Sequence, residues 1–290
     1  MDRRTPPMRK VIVVLAGCAI AAQIVYPLVT GSTRDMVTVA VVAFLAAAAI
    51  THAVVARGPK WASVLFVGTA GLGLIAEMIG TATGFPFGSY YYATDRLGPD
   101  LFGVPAVVPL AWTAGFYPVW CAVTHILERT ATSTAKASAQ RILLTSVGMV
   151  GWDLYLDTQM VTDGQWTWTS PIAGLPGLPS IPVSNYLGWF LVALVMATIV
   201  EAASRKFGLG LEPRSDRSPA EARHISDVAP LGLFLWTWLG SALAHSVFLS
   251  GPELRYSAIY GFVVMGVVGF PLVWTWVART RETTRTTRLA

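Results

Sequence analysis

The chain predicts an all-α, polytopic integral membrane fold of about eight transmembrane helices with two long aromatic outer loops. Three observations carry this expectation. Of the 290 residues, 54% are hydrophobic and only 13% charged, against roughly 25% charged in soluble domains, and the mean hydropathy is +0.56. Apolar runs of about 20 residues, long enough to cross a hydrocarbon core about 30 Å thick as helices, recur along the whole chain. Lysine and arginine fall almost entirely on alternate connections, the pattern of short loops retained on the cytoplasmic side.

In order, the runs are 11–29, 36–56, 61–79, 104–127, 142–161, 185–203, 228–249 and 256–277. The first follows the basic segment Arg3, Arg4, Arg9 and Lys10. Its Leu15-Ala16-Gly17-Cys18 resembles a lipoprotein cleavage box. Too few apolar residues precede the box for a signal h-region of about 7–15 residues, and apolar sequence continues to Val29, so a transmembrane helix is expected instead. The second run ends near His52 and Arg57, and the third opens after Lys60 and carries Glu77 near its far end. The fourth ends around His125, which with His52 reads as a solvated or hydrogen-bonded helix-end residue. The fifth follows Arg141 and holds Asp153 and Asp157. The sixth opens on Asn185 and Tyr186. The seventh brings Trp238, Ser241 and His245 onto one face, and the eighth opens with Tyr256 and Tyr260.

An even number of crossings puts both termini on one side. Of the 21 Lys and Arg, all but Arg34, Arg96 and Arg255 fall on that side. Both termini, the polar loop 204–227 and the tail 278–290 are therefore expected in the cytoplasm, with the chain multi-pass in the cell membrane. Residues 1–290 are read as a single transmembrane domain. The net charge of +5 and the pI near 9.4 are accounted for by topology and attraction to anionic lipid, so no nucleic-acid partner is expected. Cys18 and Cys121 lie in different membrane runs, which offers neither a disulfide framework nor a thiolate metal site.

Two outer loops, 80–103 and 162–184, exceed the usual 2–8 residues and are rich in Gly, Pro and aromatics. Tyr90, Tyr91, Tyr92, Trp166 and Trp168 are consistent with an interfacial aromatic belt. They are equally consistent with half-buried lids, which irregular backbone at membrane depth permits where it packs on protein or a cavity.

Helix direction alternates, so the depth of each intramembrane polar residue can be assigned. Glu77, Asp153, Asp157, Asn185, Tyr186, His245, Tyr256 and Tyr260 converge on one leaflet. Asp153 and Asp157 are four apart and share a helix face, and ionisable groups inside a membrane mark functional sites. Asp157 could also sit in interfacial water, and His245 could be a satisfied packing residue. Glu77 and Asp153 resist such readings. Two carboxyls on one apolar face are expected to share a proton, one acting as general acid and the other as base.

GFPFGSYYY from Gly84, LGPDLFGVPAVVPLAW (Leu97 to Trp112), the DLYLD segment with its downstream QWTW, and IPVSNYLGWF (Ile181 to Phe190) together resemble the carotenoid biosynthesis protein family, the family of CruF-type carotenoid hydratases. The matching blocks cover roughly 75–195. Asp157-Thr158 departs from the Asp-Pro expected in many relatives. The resemblance implies addition of water to a terminal carbon–carbon double bond of an acyclic carotenoid end group, giving a tertiary alcohol. It implies a carotenoid substrate drawn from the lipid bilayer, with other carotenoid-pathway enzymes as candidate partners. Under that reading Asp153 is placed first as proton donor, with Asp157 or Glu77 holding the water. Trp112, Trp152, Tyr155 and Trp238 stabilise the cation, and Asn185, Tyr186, His245 and Tyr90 complete the substrate pocket.

No cofactor and no metal are expected, since Gly-rich nucleotide loops, HExxH and CxxC patterns are missing from the sequence. The alternatives are a non-catalytic carotenoid- or isoprenoid-binding membrane protein and a proton-coupled transporter. The second lacks paired broken helices in repeated halves. A diphosphate-binding prenyl transferase lacks a basic clamp beside its acids, and a retinal protein lacks any lysine after Lys206.

Overall fold

A computed structural model describes the backbone of residues 5–93, 95–130, 134–209 and 227–287, and side chains within 8–93, 95–128, 134–209 and 227–277. Eight helical rods run through the described residues. They are α1 (Thr5–Val25, continued by a 3-10 turn over Tyr26–Leu28), α2 (Gly31–Arg57), α3 (Pro59–Thr83), α4 (Val107–Thr130), α5 (Thr134–Thr162), α6 (Val183–Lys206), α7 (Val228–Phe248) and α8 (Leu254–Thr287). The chain is a multi-pass, all-α membrane protein. Short connections turn α2 back on α1 and α3 back on α2, while the long segments 84–106 and 163–182 cover one end of the bundle. Most of the 204–227 loop, from 210 to 226, and the side chains of the 278–290 tail lie outside the described residues.

Local sequence explains the breaks. Pro59 occupies the first turn of α3, where its missing N–H costs nothing. Gly84, at φ +79°, takes the left-handed position that closes α3. Pro118 and Pro271 lie inside α4 and α8, which membrane helices accommodate because neighbouring groups satisfy the freed carbonyls. Three π turns interrupt the rods, at Val67–Gly71 in α3 and at Trp236–Gly240 and Ala244–Phe248 in α7.

Seven of the eight helices are long and apolar enough to cross a membrane by themselves. The exception is α5, whose 29 residues include Lys136, Arg141, Asp153 and Asp157. A helix this polar is admissible in a bilayer only when other helices surround it, and α5 packs against α4, α6 and α8. Small residues permit the close approach. A Cβ on Gly151 would lie 2.6 Å from the Met265 backbone nitrogen of α8, and one on Gly148 would lie 2.5 Å from Val119 of α4.

One sequence expectation needs correction here. Arg141 is not a loop charge preceding α5. It lies within the helix, 1% exposed, with its Nε donating to Glu201 Oε2 at 2.7 Å, while Ser138 Oγ donates to Glu201 Oε1 at 2.5 Å. The apolar-run criterion set the helix start too late because α5 begins with seven polar or small residues.

At the covered end, three two-stranded antiparallel ladders form: β1 (Tyr90–Tyr92) with β4 (Trp166–Trp168), β2 (Asp100–Leu101) with β3 (Val104–Pro105), and β5 (Gly174–Leu175) with β6 (Leu178–Pro182). The β1–β4 pair joins the two long segments into one cap, with Tyr90 opposite Trp168 and Tyr92 opposite Trp166. The ladder continues through Ala93 N–H to Gln165 O and Thr169 N–H to Ser89 O, both 2.8 Å.

Candidate active site

Alternation along a strand sends successive side chains to opposite faces. Tyr91 and Thr167 therefore face outward while Tyr90, Tyr92, Trp166 and Trp168 face the bundle. Tyr90 stacks on Trp168 with centroids 5.4 Å apart, and Tyr92 meets Trp166 edge-on at 5.5 Å. Four of the five aromatic side chains thus turn inward as a cap over the bundle, and Tyr91 is exposed.

Beneath the lid lies Glu77 of α3, 5% exposed. Tyr90 Oη and Tyr92 Oη both donate to its Oε2, the second at 2.7 Å, and Trp112 Nε1 of α4 donates to Oε1 at 3.1 Å. Burial, and then the neighbouring Glu77 charge, raise the Tyr90 and Tyr92 phenols well above their ordinary range, so both remain donors. Trp112 is seated by Gly73, where a Cβ would fall 2.5 Å from its ring. It stacks on Trp189 of α6 with centroids 3.8 Å apart.

Asp153 and Asp157 occupy α5 nine and five residues before its last residue, about 14 and 8 Å below the covered end at 1.5 Å per residue. They are within hydrogen-bonding contact of each other. Asn185, in the first turn of α6, bridges them, its Nδ2 donating to Asp153 Oδ2 at 3.0 Å and to Asp157 Oδ2 at 2.5 Å. Asp153 Oδ1 is buried without a hydrogen-bond partner of its own in the geometry. The Trp166 indole N–H lies beside Asp157. Among the described residues no cation forms an ion pair with Glu77, Asp153 or Asp157. Thr158, where proline was expected in relatives, returns its hydroxyl to Leu154 O at 3.0 Å, and the helix continues to Thr162.

A cavity of about 50 Å³ separates the carboxyls, lined by Glu77, Asp157 and Asn185 on its polar side and by Phe87, Tyr90, Tyr92, Trp112, Trp166, Trp168 and Trp189 around it. A single water needs roughly 10–15 Å³ by this measure, so the space admits a few waters or a small branched end group. Glu77, Asp157, Asn185, Tyr90 and Trp112 line it. Asp153 stands directly behind Asp157. Trp152 and Tyr155 line a separate groove outside the cavity.

Tyr186, Trp238 and His245 line neither space. Tyr186 is buried with Asp153 and Asp157 close enough to act on its phenol electrostatically. Trp238 donates to Phe262 O at 2.9 Å. His245 has both ring nitrogens occupied, by Ser257 Oγ at 2.9 Å and Gln159 Oε1 at 3.1 Å, and its ring meets Tyr155 edge-on. His52 is buried, with Nδ1 2.8 Å from Tyr117 Oη.

Sequence reasoning did not single out Trp189, Phe87 or Thr38. Trp189 was within reach, since it lies four residues after Asn185 and so shares its helix face. Also unforeseen is a strap that fastens the lid. Arg96 of the first cap segment donates to both oxygens of Asp35 at the start of α2, at 2.7 and 3.0 Å, and to Asp163 O at 2.6 Å. Gln165 Nε2 adds a bond to Asp35 at 2.6 Å. Arg34 pairs with Asp163, which also accepts from Tyr26. Hydrogen bonding to Asp35 raises the Arg96 pKa, keeping the strap charged.

A family model described as "Carotenoid biosynthesis protein" matches residues 35–266, which take in both cap segments and every cavity-lining residue named above. A bisanhydrobacterioruberin hydratase of Haloarcula japonica is 29% identical over 214 residues, 71% of this chain and 64% of that protein. The aligned region thus spans just under two thirds of the relative's length. No solved structure matches. The chain belongs to the carotenoid biosynthesis protein family.

Proposed function

We propose that the protein is a carotenoid hydratase that adds water to a terminal trisubstituted alkene of an acyclic end group. The observation that carries this reading is a cavity lined by Glu77 and Asp157, with Asp153 directly behind Asp157, no paired cation among the described residues, and walls of aromatic rings. That is what acid-catalysed hydration of an alkene needs: a proton source, a proton acceptor and a surround that tolerates a carbocation while limiting water.

Asp157 faces the cavity and is the donor, with Asp153 behind it sharing the proton. This refines the order inferred from sequence, where depth alone put Asp153 first. The proton is delivered to the less substituted alkene carbon, leaving the positive charge on the carbon bearing two methyl groups. Glu77, held by three donors, faces that charge as counter-ion. The Trp112 and Trp189 faces add cation–π stabilisation of about 0.5–2 kcal/mol each where they contact the cation. Water held between Glu77 and Asp157 then adds to the cation. The proton it loses returns to a carboxylate, so the enzyme is regenerated and no electron is transferred. On this reading the reaction requires no cofactor. The covered end faces away from the cytoplasm and both termini lie within it, following the distribution of lysine and arginine.

The test is pigment analysis by chromatography and mass spectrometry in a lycopene-producing host expressing the chain or its Asp157→Asn, Asp153→Asn and Glu77→Gln versions at equal level. Gain of one or two waters by the pigment with the unaltered chain, lost with Asp157→Asn, supports the reading. Pigment unchanged with lycopene and with its C50 counterpart would sink it and advance a purely binding role.

A further inference from the structure

A groove of about 1090 Å³ runs between α1, α2 and α7, bounded at one end by Arg9, His52 and Val228 and at the other by Pro27 and Phe248. From Thr38 to His52 along α2 it covers 14 residues, about 21 Å at helical rise. Its walls are overwhelmingly apolar. Thr38, Val42, Leu156 and Met160 line both this groove and the acid cavity, so the two spaces abut across a shared wall.

We propose that this groove seats the shaft of an extended isoprenoid polyene whose end group enters the acid cavity. The inference rests on the hydratase reading and deepens it by saying where the remainder of the substrate lies. Four features single out the occupant. The groove is long and narrow, the shape of a rod-like chain, and spans much of a hydrocarbon core about 30 Å thick. It abuts an aromatic cavity sized for a branched end group, which a lipid acyl chain has no reason to approach. The α7 wall contains both π turns, Trp236–Gly240 and Ala244–Phe248, a distortion that recurs at functional sites. The opposing walls also present glycines facing open space. A Cβ on Gly17 of α1 or on Gly232 of α7, both lining the groove, meets no atom within 4 Å. Trp236 Nε1 donates to Gln23 Oε1 at 2.7 Å, tying the α1 and α7 walls together.

These glycines supply a test that leaves the carboxyls untouched. Gly17→Phe and Gly232→Phe fill the groove, Gly17→Ala and Gly232→Ala do not, and Ile75→Phe on the exposed face of α3 is the control for bulk. Each full-length protein is purified in detergent from a lycopene-producing host and checked for an unchanged elution volume. Bound pigment is then read from absorbance per protein. Membranes are also assayed with lycopene and with a short acyclic analogue ending in the same dimethyl alkene. The Phe variants are expected to lose bound pigment and about tenfold or more of kcat/KM on lycopene while retaining the short analogue. The Ile75→Phe variant should match the unaltered chain, and the Ala variants should lose far less pigment and turnover than the Phe variants at the same positions.

Phe variants that keep pigment and lycopene turnover overturn the inference and leave the hydratase reading standing. Recovery of phospholipid instead of pigment, or a second copy of the chain covering the groove, likewise overturns it. Pigment that binds in the groove and is displaced by Phe, without hydration by any version, sustains the groove and defeats the hydratase reading.

Discussion

The two buried charge clusters on α5 are built on opposite principles. Toward the terminal end, Arg141 meets Glu201 with Ser138 completing the carboxylate's hydrogen bonds, and the guanidinium lies over Trp120 at 4.6 Å. Charge there is neutralised within the bundle. Three turns of helix and more toward the cap, Asp153 and Asp157 stand together with only the Asn185 amide between them and α6. A third acid, Glu77, lies across a cavity. Like charges without a counter-ion are costly in a low-dielectric interior, and a fold that merely needed a polar anchor in α5 has one in the Arg141 cluster. The contrast teaches that pairing neutralises one cluster, while the other leaves acid unneutralised beside accessible space, the arrangement the proposed hydration requires.

Substitutions can break the comparison at either pole. Asp157→Asn removes the proposed donor but keeps the shape and a hydrogen-bonding group, so turnover should fall about 10²–10⁴-fold, the range of general acid–base contributions, with little change in thermal midpoint. Product formed per unit of protein and the melting curve check both halves. Arg141→Met should do the reverse. It strands Glu201 without its partner, which costs about 3–5 kcal/mol of stability. The paired change Arg141→Met with Glu201→Leu should recover most of that loss, as read from unfolding midpoints in detergent. If the single change instead abolishes turnover in folded protein, the separation of roles fails.

Smaller effects sharpen the same boundary. Tyr90→Phe removes one of three donors to Glu77 while its ring still stacks on Trp168. A hydrogen bond to a charged group is worth about 1.5–3 kcal/mol, so a loss of roughly tenfold in turnover is expected, read as product formed per unit of protein. Arg96→Met severs the strap between cap and α2. The guanidinium side chain is about a third exposed, where ion pairs contribute about 0–1 kcal/mol. The expected result is a slight drop in midpoint and faster proteolysis within 84–106, with the rate of hydration nearly unchanged.

Much of this arrangement was legible in the sequence, and the part that was not has physical reasons. Seven of the helices were readable because their apolar runs approach or exceed the length needed to cross a bilayer. The start of α5 was not, because its polar first turns are buried against other helices, which hydropathy cannot see. The i, i+4 spacing put Asp153 and Asp157 on one face, and helix direction put Glu77 and Asn185 at the same depth. Which acid faces the cavity depends on the rotation of α5 within the bundle, set by tertiary packing through Gly148 and Gly151 against α4 and α8. That Tyr90 and Tyr92 turn inward follows from a β1–β4 ladder pairing strands more than 70 residues apart, and strand register of that kind leaves no local signal. His245 is conspicuous in sequence because histidine is rare in an apolar helix. In the fold Ser257 and Gln159 occupy both its nitrogens.

The most direct test of the central claim is to incubate membranes containing the protein with lycopene in deuterated water enriched in ¹⁸O, beside membranes carrying Asp157→Asn. Acid-catalysed hydration should yield an alcohol whose oxygen comes from the labelled water and which gains one deuterium on the adjacent carbon, with the variant producing little or none. Alcohol oxygen drawn from dioxygen, or undiminished labelled product from Asp157→Asn, would contradict the account.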